Sequence, residues 1–140
     1  MEPKCVELPR NGDSIHLSMG DFELVTPNGE HRVEVLYRGE PPHGDSYHEV
    51  FIDGVSLPGY AWGCNFACTD DSRYLAFSWM ARRIERITAV VDMADRRYVL
   101  LPAYIYNFAF RWPRLEGVGE LSAGLSFEFV GAEHWLSYQF

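Results

Sequence analysis

No uninterrupted apolar run in this 140-residue chain is long enough to span a bilayer, although 47% of its residues are hydrophobic; a spanning helix needs roughly 20 such residues. The N-terminus, MEPKCVELPRNGDS, lacks an apolar centre and carries Glu2, Glu7 and Asp13 where a secretion signal would be hydrophobic. Both absences point to a cytoplasmic protein. Cysteine is scarce as well: three residues, an odd count, make no disulfide framework and fit a reducing compartment. Cys64 and Cys68, placed in a strand, have Cα atoms about 13 Å apart, too far for a disulfide or a shared tetrahedral zinc. They read as small core residues.

Chemistry-bearing motifs are equally sparse. G-x-S-x-G is absent, neither Cys64 nor Cys68 sits in a reactive local sequence, and no phosphate cradle or nucleic-acid module is present. Ser46 and His48 lie close in sequence, but outside any such motif. The H-x-D-x-x-H stretch of His43, Asp45 and His48, beside Glu49, offers imidazole and carboxylate ligands. Its spacing across a glycine-containing loop matches no metal-site pattern, so neither a metal nor another cofactor is expected. The reading is of a non-enzyme.

What the chain has in abundance is aromatic residues and turn signals. The stretch from Tyr60 to Pro102 reads as four consecutive strands, YAWGCNFACT, DDSRYLAFSWM, RITAVVDM and RRYVLLP. They are apolar on both faces and therefore must be covered on both sides. The turns between them are placed at Thr69–Ser72, Arg82–Arg86 and Met93–Arg96. A helix over FSWMARRIERITAV is the competing assignment, but ITAVV is β-branched and no N-cap precedes it. Before this meander, SIHLS, DFELV, HRVEVLYRG and YHEVFIDG alternate as half-buried strands, with turns at Pro27–Gly29 and Asp53–Gly54. Residues Gly39 to Ser46, GEPPHGDS, form an exposed loop. After it, YIYNFAFRW places Tyr104, Tyr106, Phe108, Phe110 and Trp112 on one face of a strand. GELS, LSFEFV and HWLSYQF complete the chain as short strands. The fold expected is a single all-β domain over 1–140, with antiparallel meanders forming two or three packed sheets, sandwich-like or a partial propeller.

The central stretch resembles one blade of the WD-repeat and related propellers. TDDSRYLAFSW corresponds to the blade's S-P-D-G-x-x-L-A-F strand, and ITAVVDMADRRYVLLP to the half that follows. Asp71 stands at the turn aspartate, Asp92 at the aspartate ending the third strand, and Ser72 replaces the usual glycine. The resemblance implies a four-stranded meander and no function.

Charge divides the chain. Residues 1–70 carry 12 acids against 4 basic residues, and residues 71–140 carry 8 against 8, so the whole net charge of −8 belongs to the first half. Such a half repels nucleic acid and anionic membranes and steers a basic protein partner. In size, charge and strand pattern the chain resembles the immunity proteins of bacterial toxin systems, type VI secretion effector–immunity pairs among them. That resemblance implies binding and blocking a cognate toxin with a basic active site, such as a nuclease. The candidate partner-binding residues are Glu40, His43, Asp45, Tyr47, Glu49, Tyr60, Trp62, Asp70 and Asp71, although Tyr60 and Trp62 equally fit core packing. A small-molecule or carbohydrate-binding domain using the Tyr104–Trp112 face is the alternative, and a metal hydrolase at His43, Asp45 and His48 the third.

Overall fold

The computed structural model describes residues 3–17, 20–39, 46–81 and 86–138, with the backbone alone at 63 and 64. Among them the regular structure is entirely β: β1 (Lys4–Glu7), β2 (Ile15–His16), β3 (Phe22–Val25), β4 (Arg32–Gly39), β5 (Tyr47–Ile52), β6 (Val55–Ser56) and β7 (Tyr60–Cys68) come first. They are followed by β8 (Tyr74–Met80), β9 (Ile87–Asp92), β10 (Arg97–Leu100), β11 (Phe108–Arg111), β12 (Arg114–Gly117), β13 (Ser126–Glu128) and β14 (Leu136–Ser137). No helix among the described residues is long and apolar enough to cross a membrane.

Eleven strands make one sheet in the order β1-β3-β4-β5-β7-β8-β9-β10-β14, with β2 added on β7 and β6 on β5. Consecutive strands pair antiparallel, but β1 lies parallel to β3. The central four strands β7 to β10 form the expected meander, and FSWM and ITAVV are strand as read. The second turn, expected at Arg82–Arg86, lies for the most part outside the described residues; the first and third are where the sequence places them.

The sheet folds over on itself. Leu24, Val33, Val35 and Ile52 from β3 to β5 share one apolar cluster with Phe66, Leu75, Phe77 and Val91 from the meander. The β3–β4 turn is tied across the gap, where Asn28 N donates to Ser72 Oγ at 2.9 Å and Asn28 Nδ2 to Asp71 O at 3.0 Å. Ser72 occupies the left-handed region at φ 63° that a glycine would take more cheaply. The opposite face of the meander, Ala67, Ala76, Val90 and Val99, packs on Leu101, Ile105, Phe108, Phe110, Leu115 and Phe129. Those residues belong to or flank a second sheet, β11-β12-β13. The architecture is sandwich-like, three layers deep, with the meander in the middle. Its strands are apolar on both faces because both are covered.

Two expectations fail in the C-terminal layer. YIYNFAFRW is not one strand, since only Phe108–Arg111 joins a ladder. Upstream, Ile105 N donates to Thr88 Oγ1 at 2.8 Å and Asn107 N to Ser122 Oγ at 3.0 Å. Side chains distant in sequence, one from the middle layer and one from the β12–β13 connection, thus satisfy this backbone, and Ile105 is buried while Tyr106 is exposed. GELS is a turn, closed by Ala123 N donating to Gly119 O at 2.8 Å, and Leu121 projects into solvent.

Candidate functional site

The outward face of β1, β3, β4 and β5 collects the acids that alternation turns away from the core. Register puts Cys5, Glu23, Glu34, Phe51 and Ser56 in one row across the strands, with Glu7, Val25 and Arg32 in the next and Leu36 and Glu49 on the other side. Glu23 and Glu34 are therefore direct cross-strand neighbours, an arrangement that destabilises a sheet. Arg32 Nη1 meets Glu23 at 2.9 Å, and Arg38 Nη2 meets Glu49 Oε1 at 2.8 Å. Ser56 Oγ donates to the second Glu49 oxygen at 3.2 Å. Glu7 and Glu34 have no ion pair among the described residues. Apolar side chains are interleaved: Leu36 and Phe51 are half-buried, and Tyr47 sits edge-on to Tyr60 at 5.3 Å, with Tyr60 37% exposed. The face combines unbalanced negative charge with aromatic contact area.

The nine candidate residues do not converge as a set. Glu40, His43 and Asp45 lie outside the described residues. Tyr47, Glu49 and Tyr60 share the acidic face. Trp62 pairs with Tyr47 in register but is 5% exposed, beneath the Arg86 guanidinium at 5.1 Å, so it packs rather than presents itself. Asp70 and Asp71 stand at the far end of β7, about 25 Å along the strand from Trp62. Asp71 accepts from Thr69 Oγ1 at 2.6 Å and from Arg73 N at 3.0 Å, the bonds of a turn former. Asp70 remains well exposed, 3.9 Å from Arg10.

His48 faces inward. Its Nε2 donates to Gly20 O at 3.0 Å, its ring lies edge-on to Tyr37 at 5.7 Å, and Nδ1 has no partner among the described residues. Burial lowers its pKa, against the pull of the Gly20 carbonyl and Asp21. The remaining members of the H-x-D-x-x-H stretch lie outside the described residues. Among the described residues no group of three or more His, Cys, Asp and Glu could hold a metal ion.

The other concentration of charge is at the ends of β8 to β10. Asp92 is fully buried and receives Arg73 Nε at 3.1 Å, Arg73 Nη2 at 3.1 Å and Arg97 Nε at 2.9 Å, with Asp95 N at 3.3 Å. Burial pushes its carboxyl upward, but the hydrogen bonds from Arg73 and Arg97 together outweigh that and hold it below the ordinary value. Arg97 also lies over Trp135 at 4.6 Å. These saturated contacts lock the turn ends of the meander.

No family model, curated protein or solved structure matches this chain. Glu7, Glu23, Glu34, Leu36 and Phe51 are the site residues that the sequence reading did not single out. Alternation in DFELV and RVEVLY already turned Glu23 and Glu34 outward; what it left open was the pairing that sets them side by side.

Proposed function

We propose that this protein is a stoichiometric binding protein of the immunity type. It covers the basic active site of a cognate toxin enzyme, such as a nuclease, with the outward face of β1, β3, β4 and β5. The observation that carries this reading is the direct opposition of Glu23 and Glu34, flanked by Glu7 and Glu49. Like charges in register cost stability, and a cationic surface docked over them would relieve that cost. Charge of this kind speeds encounter, while buried aromatic side chains hold the complex. Tyr60, exposed and braced by Tyr47, is the aromatic anchor at the edge of the face.

The test is association with the products of the reading frames that flank this protein's own, followed by stopped-flow fluorescence from low to high salt. A variant with Glu7, Glu23, Glu34 and Glu49 all changed to Gln should associate at least about tenfold more slowly at low salt, with a flattened salt dependence. Tyr60→Ala should speed dissociation by about tenfold or more and leave association nearly unchanged. A quadruple variant with the wild-type rate and salt slope would sink the acidic-face reading. No binding by the wild-type chain would sink the immunity reading.

A further inference from the structure

A second surface borders the Glu7 end of the acidic face. Between the N-terminal lead-in and the β7–β8 turn lies a cleft of about 400 Å³, within the range of small-ligand sites. Phe110, Trp112, Arg10 and Asp70 are among its lining residues. Trp112 is 45% exposed, yet its ring is fixed. Tyr74 stacks on it at 4.0 Å and 14°, and Phe129 at 5.1 Å and 22°. Those two rings are only 6.3 Å from each other. Rings on opposite faces of one indole are separated by two contact distances, at least about 7 Å even when offset. Tyr74 and Phe129 therefore back the same face of Trp112; Phe110 lies tilted at 6.2 Å, and the exposed part of the indole borders the cleft.

The polar groups of the cleft divide into used and unused. Arg111 is committed to Asp13 Oδ1 and to the carbonyls of Asn11 and Phe110, each at 2.8 Å. The Thr69 hydroxyl donates to Asp71. Asp70 and Arg10 remain, their side chains 71% and 74% exposed and 3.9 Å apart, a pair that opens at little cost. Beside the indole there is thus one acceptor-only group and one donor-only group.

That combination selects among ligands. A cation would meet Arg10 and Arg111, and an anion or nucleotide would meet Asp70 and a chain of net charge −8. A neutral polyol meets neither obstacle, because each hydroxyl both donates and accepts. The C–H face of a pyranose, apolar and weakly positive, complements the negative face of an indole. We infer that this cleft binds a neutral pyranose sugar, with Trp112 as the stacking platform, Asp70 as acceptor and Arg10 as donor for adjacent ring hydroxyls. The site lies at the end of β7 away from Tyr60, next to the Glu7 end of the acidic face, which meets it at Arg10.

The probes are cellobiose, maltose and N,N′-diacetylchitobiose, titrated into the full chain while the Trp112 indole N–H resonance is followed by NMR, assigned by its loss in Trp112→Phe. At least one disaccharide should move that resonance saturably, with Kd on the order of millimolar for a single-platform site. Asp70→Ala and Arg10→Ala, at exposed positions that leave the fold intact, should each weaken binding about fivefold or more. Tyr60→Ala should leave it unchanged. The inference is overturned if none of the three sugars shifts Trp112, if the shift survives both rim substitutions, or if sodium phosphate shifts it and the sugars do not.

Discussion

A carboxylate withdrawn from water is costly unless donors replace the lost hydration, and Asp92 shows the replacement in full: two guanidinium groups and a backbone N–H surround it. Asp92→Asn should destabilise the fold by about 2–3 kcal/mol in urea unfolding, somewhat less than a wholly buried pair because both arginine heads reach solvent. The pH dependence has a definite sign. Asp92 has a folded pKa below its unfolded value of about 3.9. Its contribution is complete above that unfolded value and disappears as pH falls through the depressed folded one. The stability gap between wild type and Asp92→Asn should therefore be level from about pH 5 to pH 8 and shrink below about pH 4. Glu34 behaves oppositely. Glu34→Gln removes one of two opposed charges and should leave the fold unchanged or up to about 1 kcal/mol more stable, while slowing partner association. A loss of stability instead would show that Glu34 has a structural partner.

At the scale of elements, the lead-in before β2 is the least conspicuous and the most constrained. Phe110 N donates to Gly12 O at 2.7 Å, and Gly12 sits at φ 86° with the Phe110 carbonyl where a side chain would go. Gly12→Ala should cost roughly 1–3 kcal/mol and lower hydrogen-exchange protection along β11. Unchanged protection would mean that β11 does not depend on this clamp. The meander was legible because its strands are apolar on both faces and its turns are chemically marked, Asp71 and Ser72 included. The Tyr104–Trp112 ladder misled because period two was real in the letters while the backbone of Ile105 and Asn107 bonds to Thr88 and Ser122. Distant hydroxyls of that kind leave no local trace. The candidate site was half legible for a related reason: alternation assigns a face, and only register assigns neighbours. Thus Tyr47, Glu49 and Tyr60, read as one set with Asp70, lie on one face, whereas Asp70 lies at the far end of β7 beside Arg10. Glu23 and Glu34 were read as ordinary outward residues.

For the whole molecule, the three-layer arrangement sets which groups solvent can reach without unfolding. Cys68 lies in the middle layer, fully buried, its thiol pushed up to about 12 by burial and then by the Asp71 charge. Cys5 is exposed at the edge. Iodoacetamide at about pH 8, a little below the ordinary thiol pKa, should alkylate Cys5 quickly and reach Cys68 only when the layers separate. Peptide mapping by mass spectrometry would give the Cys68 rate, which should track global unfolding as urea is raised. Equal native-state rates at the two sites would contradict a buried central layer.

The clamp between the two ends of the chain also governs how the protein is made. Asp13 and Asn11 bond Arg111 across about a hundred positions. At a synthesis rate of about 5–20 residues per second, the lead-in waits roughly 5–20 s for its partner to emerge. In the later part of that interval, once they have been made, Ala67, Ala76, Val90 and Val99 have no third layer over them. The nascent chain is therefore most prone to aggregate late in its synthesis, and a chain halted at Pro102 would keep that sticky flank permanently.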